Sequence, residues 1–240
     1  MSFSRRRVGA VVRKELQEYR HNRSVVLGMG VLPLVFIIQP LVAVIQLGAS
    51  ASGALAHEHV LVYMLGIPAL VPVVLAAYAV AGERQQGTLE PALSTPIQAQ
   101  EFLLGKALAA LLPSVVIAYG VFALFIVLVT ILAPPSVTAA FVQGPDVLAQ
   151  IVFTPLLATW SIWLGIGVST RASDVRVAQQ AGILASLPGV FVVVLVAVGV
   201  IPASLALAVG GAVLLVILDV LGWRVASRLF DRERLISGAH

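Results

Sequence analysis

Long apolar runs separated by short polar breaks organise this chain. The runs fall at about 25–47, 60–81, 107–133, 147–169, 181–201 and 203–222. As helices rising 1.5 Å per residue, each is long enough to cross a hydrocarbon layer of about 30 Å. The last two share one stretch, Ala181 to Leu221, whose sole charge is Asp219. That stretch is too long for one crossing and suits two, with Pro202 marking the turn inside Gly199–Ser204. The pattern predicts an all-α integral membrane protein with six transmembrane helices in one transmembrane domain, 1–240.

Two polar segments stand out against this background. In residues 1–23, Val8, Val11, Val12, Leu16 and Tyr19 recur at helical spacing, while Arg5, Arg6, Arg13, Lys14 and Glu18 fall mostly elsewhere. That describes an amphipathic helix lying in a membrane interface, its cations turned to lipid head groups. The second segment, 82–106, is a charged island between two apolar runs. Glu83 and Glu90 lie seven residues apart and so share a helical face. Pro91 and Pro96 limit that helix, and Ser94-Thr95 supplies turn or cap chemistry before the next one.

Composition narrows the class. Hydrophobic residues make up 60% of the chain and charged ones 11%, with mean hydropathy +1.03, where a soluble domain is about one quarter charged. No sizeable water-soluble domain fits beside six spans, so an energy-converting domain would lie on another chain. Cysteine is absent, which excludes disulfides, thiolate catalysis and cysteine-based metal centres. Ser4-Arg5-Arg6-Arg7 begins like an export signal, but Arg13, Lys14, Glu15 and Glu18 interrupt the apolar stretch that should follow.

The basic balance, 15 Lys and Arg against 11 Asp and Glu, is explained by placement rather than by nucleic acid. Seven cations precede the first run. Arg84 and Lys106 belong to the island, Arg171 and Arg176 lie between runs four and five, and Arg224, Arg228, Arg232 and Arg234 follow run six. The loops 48–59, 134–146 and 202–204 hold none. By the positive-inside rule, this alternation predicts cytoplasmic N and C termini in a cell membrane.

Several spans carry internal prolines: Pro33 and Pro40, Pro68 and Pro72, Pro113, Pro155 and Pro188. Such prolines usually kink a helix, which at any single one reads as packing irregularity; bent helices that line a cavity or move are the alternative, with the Pro68/Pro72 pair the place to test it. The small residues of Gly165-Ile-Gly-Val-Ser169 and Ala178-Gln-Gln-Ala-Gly182 predict close helix packing within the chain. Asp219 lies five residues before Arg224, about 7.5 Å along a helix. Pairing with Arg224 or reaching the interface is expected of it, with contact to a substrate or ion as the alternative. Residues 170–180 form either a second contact for a cytosolic partner or a connector in which Asp174 pairs with Arg171 or Arg176. His57-Glu58-His59 reads as a polar loop tip, and no metal site or catalytic constellation is expected. Gly105-Lys106 fails as a phosphate loop, since Gln100 replaces its first glycine and Ala107 its Ser/Thr.

The island also carries a resemblance. Glu83-Arg-Gln-Gln-Gly-Thr-Leu-Glu90, Leu93-Ser-Thr-Pro-Ile97 and Glu101-Phe-Leu-Leu-Gly-Lys106 resemble the signature that follows the second span of ABC type-2 transporter permeases. The preceding Arg13-Lys14-Glu15-Leu16 is similar to the basic elbow of that family. The resemblance implies that 82–106 is a coupling segment docking on a separate cytosolic ATPase through Glu83, Arg84, Gly87, Thr88, Leu89, Glu90, Leu93 and Pro96. It further implies an exporter's translocation pathway, completed by a second permease copy or a paralogue. ATP and magnesium would sit on the ATPase, and no cofactor on this chain. The alternatives are a self-sufficient ion-coupled carrier, for which midplane charges and internal repeats are wanting, and a scaffold subunit of a membrane complex.

Overall fold

The computed structural model describes residues 3–46, 59–87, 97–172 and 174–237. Among them every regular element is helical and no strand occurs, as lipid requires of a chain that must satisfy its own backbone hydrogen bonds. Helix α1 is Arg5–His21 and α2 is Arg23–Gln46. A 3₁₀ segment, Val60–Leu65, leads into α3, Gly66–Ala76, and then α4, Ala81–Gln86. There follow α5, Ala99–Leu132; α6, Pro135–Phe141; α7, Gly144–Ser169; α8, Val175–Ala197; and α9, Leu205–Ser237.

Five stretches are long and apolar enough to cross a membrane: Leu61–Gln86, Ala99–Leu132, Gly144–Ser169, Val175–Ala197 and Leu205–Leu229. The first expected span, 25–47, falls on α2, of which Met29–Val42 is a shorter apolar helix. The helices start or end several residues away from the apolar runs because caps, not hydropathy, terminate them. Gln98 and Glu101 form a capping box that starts α5 at Ala99 instead of 107. Asp174 accepts a hydrogen bond from Val177 N at 2.9 Å and starts α8 at Val175 instead of 181. It makes no ion pair with Arg171 or Arg176 among the described residues. Past α8, Gly199 adopts a positive φ of 74° and Ser204 Oγ accepts from Leu207 N, so the turn before α9 runs through 198–204.

The Leu61–Gln86 stretch is the axis of the bundle. Nearly all of its apolar window, 89%, is buried, against 22% for α5 and none for α9. Helix α3 touches α2, α5, α7 and α8. The single helix expected over 60–81 is interrupted at 77–80, beyond the Pro68/Pro72 pair rather than at it. A hydroxyl from α7 causes the interruption: Ser169 Oγ donates to Ala77 O at 2.7 Å and accepts from Val80 N at 3.2 Å and Ala81 N at 2.9 Å. A side chain inserted into the backbone ladder is a recognised origin of such a break.

Ser169 ends a buried polar stripe on α7. Gln150 donates to Leu61 O at 2.7 Å, Thr154 to Gln150 Oε1 at 3.4 Å, and Ser161 to Ala69 O at 2.6 Å. Between these bonds the helices nearly touch. A Cβ at Gly165 would stand 2.6 Å from Ala76 Cβ and 3.0 Å from Val73 O, so the small residues pack inside the chain as expected.

Asp219 does not pair with Arg224 among the described residues, and its Oδ1 is buried without a hydrogen bond. At the opposite end of the bundle from residue 83, His59 Nδ1 lies 2.8 Å from Asp146 Oδ1, joining the start of the Leu61–Gln86 stretch to that of α7. His57 and Glu58 lie outside the described residues.

Candidate functional site

Helix α4 is only six residues long, and its neighbouring charges Glu83 and Arg84 anchor it on opposite sides. Gly87 ends it in the left-handed region, φ 66°, where a side chain would be strained. Thr88, Leu89, Glu90, Leu93 and Pro96 lie outside the described residues, so of the expected coupling positions Glu83, Arg84 and Gly87 are placed.

Glu83 was expected to face a partner; it is 4% exposed and faces the bundle. Its Oε1 takes Lys106 Nζ at 2.8 Å from α5 and Lys14 Nζ at 2.9 Å from α1. Lys106 Nζ also donates to Glu15 Oε1 at 2.7 Å and stands 5.0 Å from the Phe102 ring centroid. Burial explains the arrangement: Glu15, Glu83 and Lys106 all lie out of water, where each charge needs an opposite one within hydrogen-bond reach. Lys14, half exposed, adds a 3.0 Å pair to Glu18. Partial desolvation opposes its charge, but hydrogen bonds to Glu83 and Glu18 outweigh this and hold it above the ordinary lysine range. Tyr19, closing the same recess, is pushed above its usual value by burial and then by the Glu15 charge. A raised lysine contributes stability at all pH below its ordinary value and loses it only as pH climbs through the raised one, so Lys14 remains paired at neutral pH.

Arg84 turns the other way. Its guanidinium donates to Ala172 O at 3.2 Å and Thr170 O at 3.3 Å, the residues just past α7. The 170–180 connection therefore touches the island itself.

Glu101 completes the network and is fully buried. Arg7 grips it with a fork, Nε to Oε2 and Nη2 to Oε1, both at 2.7 Å. Ser4 N adds a bond at 2.6 Å and Gln98 N one at 3.1 Å. One turn further along α5, Gly105 leaves room for α1: a Cβ there would meet Val11 Cβ and Cγ1 at 2.6 Å.

Helix α1 is accordingly docked on α5 through Val8, Val11 and Tyr19, all buried. Of the elbow residues, Arg13 is exposed as expected, whereas Glu15 is buried, Leu16 is half-buried and Lys14 faces carboxylates rather than head groups. Glu15 is the residue that sequence reading undervalued. It sits four residues from Val11 and four from Tyr19, on the apolar face, where a carboxylate demands a cation. Three carboxylate oxygens, from Glu15, Glu18 and Glu83, come within 4.8 Å of one another. Lys14 and Lys106 supply the compensating charge, so the arrangement is an ion-pair network in its own right.

A family model described as ABC-2 family transporter protein matches residues 9–225, which takes in most of α1, Lys14, Glu15, Glu83, Glu101 and Lys106, four crossing stretches whole and most of the fifth. Among curated proteins no match is found.

Proposed function

The chain belongs to the ABC-2 transporter family, a multi-pass membrane permease, and from that premise we propose that it is driven by a separate cytosolic ATPase through residues 82–106. The observation that carries the reading is the double anchorage of α4. Glu83 ties it to α1 and α5, and Arg84 ties it to the end of α7. A push on α4 reaches three elements at once, and it enters where Ser169 already interrupts the axial stretch. In this reading Glu83, Glu101 and Lys106 transmit force, and contact with the ATPase belongs to the exposed Gln85 and Gln86 and to Thr88, Leu89, Glu90, Leu93 and Pro96.

The wider arrangement follows from the same premise. Six crossings, with α2 as the first, put both termini and the island on the cytoplasmic side, in agreement with the positions of all 15 cations. The chain is half of an exporter pathway. The apolar outward side chains of α9, such as Leu205, Val213 and Ile217, face lipid or the second permease copy. ATP and magnesium are bound by the ATPase, and no nucleic acid is involved.

Capture of the cognate ATPase on the purified permease tests the assignment. Glu90→Lys and Leu89→Glu should weaken capture with membrane insertion intact, and a reporter after Gln86 should read as cytoplasmic, one after His57 as external. Undiminished capture by both variants would overturn the coupling role; inverted reporters would overturn the topology.

A further inference from the structure

Of the six Lys and Arg side chains of α1, five fall into two rows with different partners, and the sixth, Arg6, is exposed outside both. Arg7 and Lys14 lie on the side that meets Glu101 and Glu83. Arg5, Arg13 and Arg20 lie on the other side, exposed, and none of them has an acidic partner among the described residues. This second row borders a groove of about 960 Å³ between α1 and α5. Its floor is apolar, made by Val12 and Leu16 of α1 and by Leu104 and Leu108 of α5. At Gly9, midway between Arg5 and Arg13, a Cβ would meet nothing within 4 Å. The volume is at the upper end of the roughly 300–1,000 Å³ typical of ligand clefts.

We infer that this groove seats anionic phospholipid, its acyl chain along the Val12–Leu108 floor and its phosphate on the arginine row. Charge complementarity selects that occupant. A purely apolar helix of a partner would leave three guanidiniums unpaired, whereas a lipid of the adjoining leaflet offers a tail for the floor and an anion for the rim. Guanidinium also matches phosphate geometry with paired donors. Seven residues separate Arg13 from Arg20 and eight separate Arg5 from Arg13, about 10 and 12 Å along the helix, so the row offers phosphate a guanidinium at three successive places along the groove. The inference rests on the reading that α1 lies at the membrane surface, and it is independent of the ATPase assignment.

The test uses the full-length protein in nanodiscs of mixed phosphatidylglycerol and phosphatidylcholine, with the lipid retained on purification counted by mass spectrometry. Wild type should retain phosphatidylglycerol preferentially. Each of Arg5→Gln, Arg13→Gln and Arg20→Gln should reduce the preference roughly fivefold, the attraction expected of one cation at an anionic surface. Gly9→Leu, which fills the groove without touching the arginines, should reduce retention of both lipids. Equal retention of the two lipids by wild type would overturn the inference, as would indifference to the substitutions or full competition by inorganic phosphate. Loss of ATPase capture in the arginine variants with lipid retention unchanged would overturn it too, making the groove a protein-docking surface. Failure of wild type to remain in carbonate-washed membranes would instead sink the membrane reading beneath it.

Discussion

A single oxygen, Ser169 Oγ, satisfies three backbone groups of the axial stretch, accepting from Val80 and Ala81 and donating to Ala77. Water is excluded there, so nothing else is at hand to replace it. Ser169→Ala should leave two buried donors and one acceptor unmatched and destabilise the protein by about 1–3 kcal/mol for each group left unsatisfied. A lowered melting temperature in detergent, with Ser169→Thr recovering part of the loss, is the expected result; an unchanged one would show that the interruption at 77–80 is maintained by packing alone. Lys106 is similarly placed, as the cation shared by two buried carboxylates. Neither role is visible from residue type. A serine at the end of an apolar run and a lysine before one read equally well as boundary residues.

At the scale of elements, the sequence marked where the crossings lie but not where they break. Hydropathy locates the apolar cores of α5, α7, α8 and α9, because apolar length is what a bilayer selects, but it misses the polar turns by which α5, α8 and α9 extend beyond them. It located the Leu61–Gln86 stretch too, yet missed that this region is a 3₁₀ segment and two helices. The cause lies on α7, some 90 positions away, and pattern within one segment does not carry it. The polar stripe Gln150, Thr154, Ser161 and Ser169 was available as spacing of four, seven and eight residues, the period of one helix face. Prolines drew attention to 68 and 72 instead, where α3 continues through both. Helix α1 gives the clearest contrast. Its apolar spacing was legible, but Gly105, which allows it to sit on α5, carries no signal of its own. Gly105→Leu should push α1 off α5, destabilise the protein and expose α1 to limited proteolysis between Arg5 and Arg20. Proteolysis at the wild-type rate would contradict the docking.

For the whole molecule, three charges of the signature, Glu83, Glu101 and Lys106, prove to be internal. Glu83, Glu101 and Lys106 were legible as a motif, and their clustering between apolar runs suggested a surface offered to a partner. Sequence distance hid the other half of each pair, because Arg7, Lys14 and Glu15 lie some 70 to 90 residues earlier. Folded, the two charged segments neutralise one another and fasten α1, α4 and α5 into one body, while Arg84 extends that body to α7. The proposed drive by an outside ATPase would need such a unit, since force applied to a short helix is useful only if its neighbours move with it. The most direct measurement of this account is a double-mutant cycle between α1 and α5, Glu15→Leu with Lys106→Met, read as unfolding free energy of the purified permease. Lys106→Met alone should cost about 3–5 kcal/mol by stranding buried carboxylates. The double variant should recover part of that loss, with a coupling energy of about 0.5–3 kcal/mol. Strictly additive losses, or a Lys106→Met variant as stable as wild type, would mean that the two helices are not fastened through these charges.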